Sequence, residues 1–400
     1  MSDPDLDAFD RECDTFLSRY PKKAQEETFE WGVGSDRTAV FEEIDPEVER
    51  IAVAKSREWR WDLWEAGLGW ITGPPALGGR GLQRSYQSRF DLKARRYEVP
   101  GNAKLTVGLG IVVPTILEHG SDSARATYPA RIQRGELIAC QLFSEPSAGS
   151  DLASVSTKAV RHRGGWRLTG QKVWTSGAQF SDIGEALCRS SDGPRHRNLT
   201  AFVLNMHAPG VSVRPLRQMT GGASFNEVFL DDVWVPDTDR LGDVDGGWVV
   251  AMTTLANERA ALGDAGFGGA GLFRADRYIA MFNALAEKDD LIARQQLANL
   301  ITHLRIAKYT RQRVIDSARS GKAPGPAASI AKLQLTSNFE RISAFAAALL
   351  GASLTADDGR WGTYAWNELV LGVPGIRLGG GTDEINKNVI AERVLGLPRE

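Results

Sequence analysis

Two short segments combine the residue types needed to hold a flat, phosphate-bearing molecule. The first, Leu142–Ser154, reads LFSEPSAGSDLAS: a strand-like run ending at Ser144, then a tight polar loop. In that loop Gly149 and Ser150 can present backbone N–H groups and a hydroxyl to an anion, a nest suited to a pyrophosphate. By residue type alone the same loop is equally a surface turn capped by Ser and Asp. The second, Gly170–Ala178, reads GQKVWTSGA and sets Trp174 beside two hydroxyl residues at a strand end. A large flat side chain among hydrogen-bonding groups suits a planar heteroaromatic ligand. Taken alone, Trp174 reads first as a core residue of a β-domain.

Other chemistries lack their residues. Cys13, Cys140 and Cys188 lie far apart, so neither a disulfide framework nor a CxxC metal site is on offer. His119, His162, His196, His207 and His303 form no HxxxH or HxH pair of the kind zinc and di-iron sites use. There is no GxSxG nucleophile elbow and no GxxxxGK phosphate loop. Gly266, Gly268 and Gly271 satisfy the dinucleotide pattern GxGxxG, but that motif works only between a strand and a helix. Here it follows ANERAALG in a helical stretch, where small residues permit close helix packing. If the chain is an enzyme, its chemistry is therefore expected to come from an organic cofactor, with no metal.

The chain of 400 residues is long enough for two or three domains at roughly 150 residues each. With 42% hydrophobic and 24% charged residues it can fill a sizeable core. A formal net charge of -2 implies no bulk attraction to nucleic acid or to an acidic membrane. The longest nearly apolar run, Ile342–Leu354, falls short of the about 20 residues that span a bilayer. The acidic start, MSDPDLDAFD, lacks the order of a signal peptide, so a cytoplasmic protein is expected.

The elements that must position these segments follow from periodicity. From Asp5 to about Ile132 apolar residues recur at helical spacings, as in Trp61, Trp64 and Leu68. The loop GPPALGGRGL, Gly73–Leu82, interrupts this zone. From Gly135 to Leu241 the period shifts towards two, with runs such as Trp166–Leu168, Lys172–Trp174, Thr200–Leu204 and Val228–Val235. Gly164-Gly165 reads as a hairpin turn between two of these runs. Helical spacing returns at Gly247. Helix, then sheet, then helix predicts an α+β fold of three domains, 1–134, 135–245 and 246–400, rather than alternating βαβ units.

Together the motifs resemble the acyl-CoA dehydrogenase flavoprotein family. Ser144–Asp151 matches its S/T-E-P-x-A-G-S-D signature, and Leu168–Ala178 carries the L-x-G-x-K-x-W of its second motif, with Ser176 where that motif has Thr. The early GPPALGGRG loop, FNEVFLDDVWVP (Phe225–Pro236) and GGGTDEINKNVIAERVLGLP (Gly379–Pro398) resemble further family segments in the same order. The resemblance implies the three-domain architecture and an FAD cofactor that carries the redox chemistry. It implies that Phe143 and Ser144 offer backbone and hydroxyl groups to the flavin ring. Trp174 would lie against the isoalloxazine, with Ser176 hydrogen-bonding near N5. Gly149 and Ser150 would cradle the pyrophosphate, and Thr382 and Glu384 would reach cofactor groups at the C-terminal end.

The reaction so implied needs a carboxylate to remove the α-proton of a thioester. One family location lies two residues before the Thr of the C-terminal GT motif, here Gly380, which cannot act as a base. Members of the isovaleryl and long-chain types place the carboxylate before an Arg on the helix after the β-domain. Here that pair is Glu258-Arg259, within TLANERAALG. At about 100° per residue, Trp248, Ala251, Leu255 and Leu262 form an apolar stripe flanked by Glu258 and Arg259. Glu258 is thus the expected base. Leu255 is expected to meet substrate, and Arg259 to steady the CoA portion or the helix. The resemblance also implies an electron-transferring flavoprotein as electron acceptor and a tetramer. No RxxFG motif occurs between Arg277 and Gln296, and the QxxGG element shrinks to Leu350-Gly351. Both departures leave room for a heterotetramer with a related subunit. An acyl-CoA oxidase or flavin monooxygenase on the same fold, or a poorly active partner subunit, are the competing functions.

Overall fold

A computed structural model describes residues 4–23, 29–38, 40–41, 44–265, 271–287, 289–319 and 327–398. The chain packs as two compact units. The first comprises Met1–Gln25, Ile44–Leu216 and Ala223–Glu258; the second comprises Glu26–Glu43, Arg217–Gly222 and Arg259–Glu400.

The first unit opens with six helices: α1 (Pro4–Leu17), α2 (Pro46–Glu65), α3 (Arg84–Ala94), α4 (Val113–His119), α5 (Asp122–Thr127) and α6 (Pro129–Gln133). Asp45 starts α2 by accepting the N–H groups of Glu47 (2.9 Å) and Val48 (3.2 Å), with Pro46 at the first helical position. The buried face of α2 runs through Val53, Ser56, Trp59, Arg60 and Leu63, a 3–4 spacing. Trp61, read from sequence as part of that stripe, lies on the opposite face and is 45% exposed. The buried Arg60 guanidinium, pulled down to about 10 by desolvation, stays charged and donates to the Gln133 carbonyl at 2.9 and 2.7 Å and to that of Gly69. It thereby satisfies carbonyls at the end of α6 and in the loop after α2.

The same unit holds one eight-stranded sheet: β1 (Ala139–Leu142), β2 (Lys158–His162), β3 (Gly165–Ser176), β4 (Ile183–Arg189), β5 (Leu199–Asn205), β6 (Val211–Leu216), β7 (Phe225–Pro236) and β8 (Arg240–Leu241). The strand order is β6-β7-β3-β2-β4-β5-β8, with β1 joining β4 in parallel. The β2–β3 hairpin turns at Arg163 and Gly164, both with positive φ (35° and 74°), one residue earlier than the Gly-Gly pair suggested. Gly165 already pairs with His162. Alternation sorts the strands between two cores. Ile183, Leu187, Ala201 and Val203 pack with Val112, Val113, Ile116, Val250 and Ala251; Ala186, Cys188, Phe202 and Leu204 pack with Trp166, Leu168 and Val228.

Helix α7 (Gly247–Ala265) follows the sheet, and the division between units falls within it. The second unit is built from α8 (Ala275–Leu285), α9 (Leu291–Arg319), α10 (Ala327–Leu350), α11 (Trp366–Leu378) and α12 (Asp383–Arg393). Tyr278, Met281, Phe339, Ile342, Phe345 and Trp366 form its core. An early segment joins it: Trp31 meets Trp361 edge-on at 4.9 Å, and the Thr38 hydroxyl donates to the Ala365 carbonyl at 2.7 Å. Among the described residues no helix is long and apolar enough to cross a membrane.

The loop after β1 is fastened to the sheet by a buried ion pair. Lys172 of β3 is fully buried, and its ammonium donates to Glu145 Oε1 (2.8 Å), the Phe143 carbonyl (3.1 Å) and the Leu187 carbonyl (2.6 Å). Glu145 also accepts the Thr157 N–H (2.9 Å), the Ser156 N–H (2.6 Å) and the Ser156 hydroxyl (2.7 Å). Burial would raise the Glu145 carboxyl, but the Lys172 charge and these hydrogen bonds outweigh it and hold it at about 2. Lys172→Met strands that carboxylate and is expected to cost about 3–5 kcal/mol, read as a lower denaturation midpoint at unchanged slope. The pair contributes fully above the usual 4.5 and fades towards pH 2, so the gap between wild type and variant should narrow across that interval.

Candidate active site

Where β3 runs past the loop, its pairing with β7 breaks. Lys172 faces Val228, but the next paired residue, Thr175, faces Asn226. The irregularity puts Trp174 at φ 59°, a conformation L-residues rarely adopt and that costs about 1–3 kcal/mol. A bulge re-aims a side chain, and Trp174 is 56% exposed, its ring edge-on to Phe225 at 5.9 Å. It lies at the surface, not in the core.

The other residues expected around a cofactor divide into two places. Ser144 is half-buried; Gly149, Ser150 and Ser176 are exposed. Among the described residues the hydroxyls of Ser144, Ser150 and Ser176 form no hydrogen bond. The buried Thr175 Oγ1 likewise has no partner there. A Cβ added to Gly149 meets no atom within 4 Å, so that side of the loop is open. Phe143 is buried in the core, and its carbonyl is taken by Lys172; the Ser144 carbonyl is taken by the Val173 N–H at 2.9 Å. Both carbonyls of that pair are thus taken, while the Ser144 hydroxyl is open.

Thr382 and Glu384 lie in the second unit. The Thr382 hydroxyl caps α12 by accepting the Ile385 N–H at 3.2 Å. Glu384 is exposed, 4.0 Å from Lys387. Between them Asp383 is buried, accepting from the Thr336 hydroxyl (2.9 Å) and Arg377 Nε (2.8 Å). Gly380 has φ 69°, a left-handed conformation in which a carboxylate-bearing residue would be strained.

On α7 the buried seam is Gly247, Val250, Ala251 and Thr254, rotated from the stripe the sequence suggested. Glu258 is one turn further along this seam and half-buried, with Gln141 Nε2 donating to its Oε2 at 3.5 Å. Leu255 is half-buried against the core shared by sheet and helices. The side chains of Arg259 and Leu262 lie outside the described residues, as do Gly266 and Gly268 of the GxGxxG pattern.

Sequence reasoning missed a second carboxyl. Glu185 of β4 is fully buried; its Oε1 accepts from the Thr254 hydroxyl at 2.6 Å. Burial pushes it up to about 8, with the Thr254 bond pulling the other way. The Thr115 hydroxyl of α4 stands 3.2 Å from that of Thr254, and Asn257 Nδ2 donates to Thr115 at 3.4 Å. A charged residue inside the apolar run IGEALCR was the available signal.

The chain is similar to known proteins in sequence and in fold. Residues 140–233 match the description "Acyl-CoA dehydrogenase, middle domain" and residues 245–395 "Acyl-CoA dehydrogenase, C-terminal domain". The acyl-CoA dehydrogenase IpdE1 of Mycobacterium tuberculosis is 33% identical over 359 residues, 89% of this chain and 91% of that protein. The chain belongs to the acyl-CoA dehydrogenase family. The acyl-CoA dehydrogenase FadE34 of the same organism is 40% identical over 332 residues; these are 81% of this chain but span only 44% of that longer protein. In fold, the ChsE4-ChsE5 complex from Mycobacterium tuberculosis aligns with a TM-score of 0.71 over 100% of this chain and 99% of that one, at 24% identity.

Membership of the acyl-CoA dehydrogenase family implies FAD as cofactor. The open side of Gly149 makes a clean test of where its pyrophosphate would rest. Gly149→Val is expected to change stability by less than about 0.5 kcal/mol, as an exposed substitution does, while the purified protein loses its flavin absorbance. Full flavin content in that variant removes the loop from the cofactor site.

Proposed function

We propose that this chain is an FAD-dependent dehydrogenase that forms the α,β double bond of an acyl-CoA thioester, with Glu258 as the base. The observation that carries this reading is Glu258 itself: a half-buried carboxylate on the helix seam, held by Gln141, in a chain whose alternative position is the left-handed Gly380. The α-C–H bond breaks, its proton passes to a Glu258 oxygen, and the electron pair left behind forms the new double bond as the β-hydrogen departs. Bound FAD supplies the acceptor for that hydrogen and its two electrons.

The chain's own residues fit such a cofactor. Trp174 presents a flat, exposed face, and Ser144 and Ser176 carry hydroxyls with no partner among the described residues. These groups would hold the flavin ring, with Ser176 near N5. Gly149 and Ser150, on the open side of the loop, would take the pyrophosphate. Thr382 and Glu384 would meet cofactor groups from the C-terminal end; Leu255 and Arg259 would meet the thioester. A base on α7 favours a bulky acyl group, branched or long. Electrons would leave for an electron-transferring flavoprotein.

The proposed assembly is a tetramer, of identical chains or of two related kinds. The absence of RxxFG and the shortened QxxGG element support the mixed form, and a fold neighbour is itself a complex of two named subunits. Light scattering at micromolar concentration is expected to give a tetramer's mass, from this chain alone or on adding a related subunit. A monomer under both conditions contradicts the proposal.

Glu258→Gln preserves shape and removes the proton acceptor. Flavin bleaching by a panel of acyl-CoA thioesters, followed by rapid mixing, is expected to slow about 10²–10⁴-fold, with flavin content unchanged. Bleaching at the native rate would place the base elsewhere.

A further inference from the structure

Glu185 is a buried carboxyl that neither the proposed reaction nor the packing of the sheet uses. It sits in a strand buried along nearly its whole length, on the sheet face that packs against α4 and α7. Its Oε1 accepts from Thr254, while its Oε2 has no partner among the described residues. An apolar residue would fill the same space without desolvating a carboxyl.

Its position matches that of the base rung for rung. In the parallel β1–β4 pairing Gln141 stands directly beside Glu185. Neighbouring strands lie about 4.8 Å apart, and residues i and i+4 of a helix are separated by about 5–6 Å on one face. Two adjacent strand positions can therefore grip two successive turns of α7. Glu185 holds Thr254 at 2.6 Å, and Gln141 reaches Glu258 at 3.5 Å. Thr115 and Asn257 brace the same turns from α4 and from α7 itself.

We propose that Glu185 is a positioning residue: with Gln141 it forms a two-point clamp that sets the rotation of α7 and so aims the Glu258 carboxylate, an inference that rests on Glu258 being the base. Burial raises the Glu185 carboxyl and so favours its neutral form, which limits the negative charge that the clamp brings near that base.

The test uses flavin-loaded enzyme and whichever acyl-CoA thioester of the panel bleaches the wild type fastest. Glu185→Leu keeps the volume and removes the grip. The limiting bleaching rate is expected to fall about 10- to 10²-fold, the effect of a small misplacement of a catalytic group, with half-saturation and flavin content changed less than about two-fold. Glu185→Gln still hydrogen-bonds Thr254 and should recover the rate to within about three-fold of wild type. Placed on Glu258→Gln, Glu185→Leu should add less than about two-fold, because the clamp acts through that carboxylate. If Glu185→Leu does not fold, Thr254→Val removes the same hydrogen bond from the helix side and carries the same expectation. A native rate in the folded variant, or a full additional loss in the double variant, overturns the clamp while a slow Glu258→Gln leaves the base in place. A native rate in Glu258→Gln overturns both.

Discussion

The buried pair between Lys172 and Glu145 is the constraint on which the arrangement of the first unit turns. An ion pair at this depth yields little net stability over an apolar replacement, because desolvating both charges offsets most of their attraction. It supplies definition instead. One ammonium has three protons, and here they select acceptors on two separate segments, the 143–145 loop and β4. Glu145 in turn collects donors from 156–157. The start of the SEPSAGSD loop is thus tied to the sheet and to the segment that leads into β2, while Gly149 and Ser150 stay exposed.

Immediately after Lys172 the strand departs from regular pairing. The order matters physically. Lys172 must point inward to reach its acceptors, Val173 is buried and gives its N–H to the Ser144 carbonyl, and the bulge at Trp174 lets the next side chain leave the sheet rather than enter a core. The strain at Trp174 is the cost of turning an aromatic residue outward beside hydroxyls that have no partner among the described residues. One fastening therefore sets both walls of the proposed cofactor site, the loop with its N–H groups and the indole face.

The helix carrying Glu258 is governed by a different interaction. A seam of Val250, Ala251 and Thr254 docks on the sheet, and its one polar member meets the one carboxyl of β4. Hydrophobic burial is non-directional and tolerates rotation of a helix about its axis. A hydrogen bond of 2.6 Å from a buried hydroxyl does not.

By itself the sequence determined the succession of helical, β and helical zones, because periods of 3.6 and 2 are local properties of the chain. It also marked Gly149, Ser150 and Trp174, because a glycine-rich polar loop and a tryptophan among hydroxyl residues are short contiguous signals. Only the tertiary structure decided what those residues face. Trp174 lies at the surface rather than in a core because a bulge against β7, 51 or more positions away in the chain, turned it outward. The α2 stripe shifted from Trp61 to Trp59, and the α7 seam from Leu255 to Thr254, because the buried side of a helix depends on which surface docks against it. Lys172 and Glu185 carried no legible role, since a lysine or glutamate in a strand ordinarily reads as solvated. Their meaning lies in partners supplied by other segments, Glu145 for the one and Thr254 for the other, and such pairings exist only once the chain has folded.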